Sequence, residues 1–208
     1  EVDATALGAD SVTAAKINDD IISGATALTA EPADTDEFLV SDAGTLKRID
    51  YSLIKGGGIT EADMFRLSAD RQNDGDLTAN FERVDDASFS KIGTGMTESS
   101  GIFSFATTGL YQVMTHSTFV PDSNGDTCKM NIKGTTNNSS YDDLAAAAYG
   151  SPAARDGTVS TSTFVNVTNV SNVKVKFTLS SMSGSSSCVG STDYNRTCFI
   201  FIRLGDSQ

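Results

Sequence analysis

Between Gly101 and His116 the side chains alternate in character, and this constrains the fold more than any other feature of the chain. In Ile102-Phe103-Ser104-Phe105 the aromatics alternate with a small polar residue. A period of two is the signature of a half-buried strand, because successive side chains point to opposite faces. Gly109 then stands at a turn, where a positive φ costs nothing only for glycine. Leu110-Tyr111-Gln112-Val113-Met114-Thr115-His116 reads as the next strand. The plain reading is a β-hairpin within an all-β domain.

The same patterning continues to the C-terminus. It predicts strands near 63–69, 77–84, 87–92, 101–106, 109–120, 127–133, 141–149, 158–167, 172–180 and 197–204. With glycine- and serine-rich breaks between them, ten such strands suit two packed antiparallel sheets. Tyr141–Tyr149 has a second reading as a helical turn, since Ala145–Ala148 favours helix.

The spacing of Phe103, Gly109 and Tyr111 resembles that in the globular head of the complement component one q and tumour-necrosis-factor jelly-roll superfamily. Three further stretches agree: Met64-Phe65-Arg66-Leu67-Ser68-Ala69, Val173-Lys174-Val175-Lys176-Phe177-Thr178-Leu179, and Thr197-Cys198-Phe199-Ile200-Phe201-Ile202-Arg203-Leu204. Asp85, Lys91 and Met96 depart from the upstream part of the family pattern. The resemblance implies a ten-stranded jelly-roll sandwich over 59–208 and a homotrimer. Phe103, Tyr111, Phe177, Phe199 and Phe201 are its expected packing residues, some inside each subunit and some near the trimer axis.

Residues 1–58 have a different texture. Val2, Leu7, Val12, Ile17 and Ile22 recur every five residues, which is neither the helical nor the strand period. One aliphatic in five buries too little in a single chain to offset ~1–2 kcal/mol of backbone entropy per residue. Three copies wound about one axis bury all of them, so 1–26 reads as an extended threefold shaft segment; a disordered acidic linker is the alternative. Residues 27–58 read as a β-hairpin connector. Glu37–Ser41 and Thr45–Asp50 are its strands, Asp42-Ala43-Gly44 its turn, and Gly56-Gly57-Gly58 a hinge. The stretches Asp10–Asp20 and Asp34–Ile49 resemble the repeated modules of tail-fibre proteins from marine bacteriophages, especially those infecting cyanobacteria. This implies a virion location exposed to the medium, with upstream fibre or baseplate/portal proteins as partners. The start at Glu1, without methionine, reads as the tail of a longer chain.

A net charge of −12 argues against duplex nucleic acid and against an anionic membrane surface. No run reaches the ~18 apolar residues of a spanning helix, so no membrane insertion is expected. The odd cysteine count, Cys128, Cys188 and Cys198, does not look like a disulfide framework. Cys188 and Cys198 flank one loop and are candidates to pair under oxidising conditions; Cys198 also reads as a small apolar filler. The single histidine, His116, lies in a strand. No Gly-x-Ser-x-Gly elbow, phosphate loop or dinucleotide fingerprint occurs, and the expectation is no enzyme. Asp122-Ser-Asn124-Gly-Asp126 has oxygens at alternate positions but lacks the sixth-position glycine of a calcium loop and has Lys133 at its closing position. No cofactor is expected, and calcium stays open without assigned residues.

Strand alternation places 121–126, 150–157 and 181–196 at the end of the head away from the shaft, and 134–140 and 168–171 at the near end. The far loops carry Asp122, Asn124, Asp126, Arg155, Asp156, Asp193, Tyr194 and Arg196. Carboxylates, an amide, guanidinium groups and an aromatic suit recognition of a host-surface glycan or protein. The expected function is a trimeric fibre adhesin. The alternatives are a purely structural trimerisation head and a glycan depolymerase tip.

Overall fold

The computed structural model describes residues 23–84, 89–150 and 155–208. Val2, Leu7, Val12, Ile17 and Ile22 lie outside the described residues. The chain divides into two compact units, Glu1–Gly56 and Gly57–Gln208.

In the first unit, β1 (Glu37–Asp42) and β2 (Thr45–Asp50) pair antiparallel, from Glu37↔Asp50 to Asp42↔Thr45. Ala43 and Gly44 close the turn, both at positive φ (48° and 85°). Two left-handed residues match the twist of a tight hairpin. One helical turn, α1 (Tyr51–Ile54), follows, and the Tyr51 and Phe38 rings lie 6.1 Å apart.

The second unit is an antiparallel sandwich. Its six-stranded sheet runs β11 (Asp142–Gly150), β10 (Thr127–Thr135), β13 (Lys174–Ser180), β8 (Ile102–Ser104), β7 (Thr97–Ser99), with β5 (Gly75–Asp76) also on β13. Its seven-stranded sheet runs β4 (Arg71–Gln72), β14 (Ser187–Cys188), β9 (Gly109–Val120), β15 (Cys198–Gly205), β3 (Ala62–Leu67), β6 (Phe81–Arg83), with β12 (Gly157–Val167) on β9. The long expected strands therefore form. The expected 77–84 strand shrinks to β6, and no strand forms within 89–92 beyond a bridge between Ala62 and Ile92. β4, β5, β7 and β14 escape prediction because two or three residues carry no readable period.

Two acids hold the backbone just beyond the expected 87–92 strand. Glu61, on the edge of burial, accepts bonds from the Thr94 and Gly95 N–H groups (3.1 and 2.8 Å). Buried Asp63 accepts from Met96 N–H (2.7 Å) and from the Arg83 guanidinium. The Thr94–Met96 N–H groups thus find their acceptors on two acids, while Ile92 N–H donates to the Ala62 carbonyl (2.8 Å). Ala145–Ala148 lies in β11, paired with Ile132–Lys129 of β10. The helical alternative fails there because the sheet neighbour supplies every second backbone bond, which outweighs alanine's intrinsic preference.

The two inner faces meet in an aromatic core. Phe103 packs edge-on against Phe65, Phe81 and Phe177 at 5.0–5.5 Å, and Phe177 lies 4.3 Å from Phe199. Such pairs add ~0.5–1.5 kcal/mol each beyond their buried area. Phe103, Tyr111, Phe177, Phe199 and Phe201 are all at most 2% exposed within one subunit. This corrects the expectation that some of them stand near a trimer axis: inward parity puts each one in its own sandwich. Gly109 is not a turn glycine either. It opens β9 at φ 155°, and an added Cβ would meet Arg203 Nε at 2.4 Å.

Candidate functional site

β9 ends, and β10, β12 and β15 begin, at the same end of the sandwich. The chain enters the sandwich at the other end, where β3 starts beside the end of β15. The loops 134–140 and 168–171 join strands at that entry end, and Asn138 N–H donates to the Asn172 carbonyl there (3.0 Å). The eight candidate residues lie on the loops of the opposite end, in two groups.

The first group is the 121–126 turn against 183–186. Asp122 N–H donates to Ser186 Oγ (2.9 Å), and Ser123 N–H to Asp126 Oδ2 (2.9 Å). Ser186 Oγ donates to the same Asp126 oxygen at 3.2 Å. Hydrogen bonds from Ser183, the Ser123 backbone and Ser186 hold the Asp126 carboxyl below its ordinary range, against mild desolvation. Asp122 and Asn124 are exposed. Asp126 is therefore a loop clip first, with its oxygens turned toward its own chain.

The second group joins 155–156 to 193–196. Arg196 forms an ion pair with Asp156, and its carbonyl accepts from Thr118 Oγ1 (2.7 Å). Tyr149 OH donates to the Asp156 carbonyl (3.3 Å). Arg155 and Asp193 are exposed, and Tyr194 presents its ring to solvent at 61% exposure. Among the described residues, the outward chemistry of this end is thus the Tyr194 ring, the exposed Arg155 guanidinium and several carboxylates and amides. Among the described residues, no group of three or more His, Cys, Asp or Glu is placed to hold a metal ion. Grooves of ≈ 420 Å³ (at Phe65, Arg83 and Lys91) and ≈ 370 Å³ (at Asn137, Leu144 and Phe164) lie elsewhere.

The cysteines are free and buried. Cys188 Sγ lies 3.5 Å from Thr197 Oγ1, and burial pushes its thiol up to about 12. A Cys188–Cys198 bond is not formed; Cys198 instead fills the seven-stranded sheet between Arg66 and His116. His116 Nδ1 shares a 2.6 Å hydrogen bond with Ser160 Oγ, its cross-strand neighbour.

Sequence reasoning missed the outer face of the seven-stranded sheet. Register places Met64, Ile200, Met114 and Ser162 in one row across β3, β15, β9 and β12. Ala62, Ile202, Gln112 and Phe164 form the next row. These side chains point away from the core, and Phe164 is 64% exposed. The signal was present in Cys198-Phe199-Ile200-Phe201-Ile202, where both parities are apolar; a strand of that kind is covered on both faces.

The chain is similar in structure to Eiger TNF from S. frugiperda, at 15% identity over 73% of this chain and 96% of that one, with a TM-score of 0.56. It is also similar to murine APRIL at pH 5.0, at 10% identity over 69% of this chain and 98% of that one, with a TM-score of 0.52. The PRD1 vertex protein P5 matches at 22% identity over 72% of this chain and 100% of that one, but at a TM-score of 0.41 that carries no argument. No family model matches the sequence, and no curated protein matches it. Likeness at this identity shows the fold alone: an all-β jelly roll like that of these two structures.

Proposed function

We propose that this chain is the end of a viral fibre, a homotrimeric adhesin whose jelly-roll head engages a host-surface glycan or protein. The observation that carries this reading is the apolar outer face of the seven-stranded sheet. On that face Met64, Met114, Ile200 and Ile202 are half-buried and Phe164 is exposed, in two adjacent rows. Contiguous exposed apolar surface on a folded domain marks an interface. Closing that face between three copies buries it and directs three sets of far-end loops the same way. Weak contacts by each head then add by avidity. Upstream fibre or baseplate proteins hold the other end, and the particle is exposed on the virion.

In this reading Tyr194 is the stacking platform, with Arg155, Asp193 and Asn124 as adaptable hydrogen-bonding groups around it. Asp122, Asp126, Asp156 and Arg196 shape the loops that present them. The test is binding of the purified chain to host cells and to a glycan array. Tyr194→Ala is expected to lower binding at least tenfold with oligomer mass unchanged. Absence of binding by the wild-type chain on both platforms would leave the head as a trimerisation clamp, and release of reducing sugar from host capsule would make it a depolymerase.

A further inference from the structure

We propose that Cys128 and Cys188 are a disulfide pair, which staples the start of β10 to β14 when the chain folds with a small-molecule disulfide as oxidant, while Cys198 keeps its thiol. The inference goes beyond the adhesin reading and does not rest on it, since a thiol count is blind to partners.

Three cysteines allow three pairings, and strand parity removes two. Cys198 shares the parity of Ile200 and Ile202, on the outer side of the seven-stranded sheet, in a row with Arg66 and His116. Cys188 is in register with Phe119, whose ring is fully buried, so it points inward. Cys128 shares the inward parity of Met130 and Ile132 on β10. Cys128 and Cys188 are both 0% exposed, lie in one core cluster and come from opposite sheets.

A tie between the sheets sets their height. Ser186 Oγ donates to Asp126 Oδ2 at 3.2 Å and accepts from Asp122 N–H at 2.9 Å. Asp and Ser are short, so the two backbones are close at that point. β10 starts at the tied end, and β14 runs back from it against β9; each reaches its cysteine two residues after the tie. The two side chains therefore stand at one level and face each other across the sandwich. Facing inward positions on two sheets are where a disulfide can span such a core. The thiols also feel one another's surroundings. Burial raises Cys128 against a hydrogen bond with Ser186, and Cys128 adds to the burial that raises Cys188.

Because both sulfurs are buried in the folded chain, the exchange belongs to folding, before the core closes. One thiolate of the pair attacks a sulfur of the oxidant and expels a thiolate. The second attacks the protein sulfur of that mixed disulfide and expels the other half. Two electrons pass to the oxidant, and the two protons end on the released thiols.

The test uses the full chain. It is reduced in denaturant, refolded in mixed reduced and oxidised glutathione, then alkylated in denaturant and weighed by mass spectrometry. One alkylated thiol, at Cys198, and a peptide joining Cys128 to Cys188 are expected. Cys198→Ser is expected to keep the link, and Cys128→Ser to show two alkylated thiols and no link. The linked chain is expected to melt at a higher temperature than the same sample after reduction. The same count on folded chain held with glutathione in urea below its midpoint needs no refolding step. Three alkylated thiols in chain with its cooperative thermal transition, a link through Cys198, or a linked chain that melts at the lower temperature would each overturn the inference.

Discussion

At Gly101 the backbone sits at φ 84°, and a Cβ there would lie 1.8 Å from the Leu77 carbonyl oxygen. No side chain fits without moving a segment whose Leu77 is 1% exposed. Gly101→Ala is therefore expected to destabilise the head by ~1–3 kcal/mol, read as a lower urea midpoint with an unchanged slope. Asp126 makes the pH prediction. Its folded-state carboxyl is held below the ordinary range by the serine bonds around it. Its contribution is thus fully present above the unfolded pKa and is lost as pH falls through the lower folded value. Amide signals of Asp122 and Ser123 are expected to keep their folded shifts through the ordinary aspartate range and to lose them only as pH falls below it, and Asp126→Asn is expected to reproduce that change at pH 7. Signals that hold their shifts in the variant would remove the clip. None of this was legible beforehand: the sequence marks Asp126 as polar and in a loop, but its partners come from a segment 60 residues away.

At the scale of a strand, β15 joins two roles in adjacent residues. Phe201 is 1% exposed in the sandwich, while Ile200 faces outward in the row with Met64 and Met114. The account separates them. Phe201→Asp places a charge in the core and is expected to leave aggregate or unfolded chain, with loss of the cooperative thermal transition. Ile200→Lys is expected to keep that transition and shift the scattering mass toward the monomer. Equal behaviour of the two variants would mean that the outer face has no partner. β9 and β12 were readable because their alternation runs over seven or more residues, and β15 because it is a continuous apolar run. The inward or outward sense of each parity was not, since a run apolar on both faces reads the same either way round. The 87–92 stretch reads as strand; within its described residues, 89–92, only the Ala62–Ile92 bridge forms, and the bonds that hold the chain just beyond it come from Glu61 and Asp63, about thirty residues earlier, where local pattern cannot see them.

At the scale of the whole molecule, the all-β class and the sandwich followed from period two, and the seven-against-six division of the strands came from the structure. The candidate binding loops were placed at one end by strand direction alone. What their side chains do to one another needed coordinates: Asp126 bonds within its own loop and Asp156 pairs with Arg196, while Asp122, Asn124, Arg155, Asp193 and Tyr194 are exposed. The proposed function places sister copies against the outer face of the seven-stranded sheet, so the account stands on association. Light scattering across a hundredfold dilution of the purified chain tests it most directly. The account predicts a constant mass near 65 kDa, three times 21.8 kDa. A folded particle of 21.8 kDa at every concentration would contradict it.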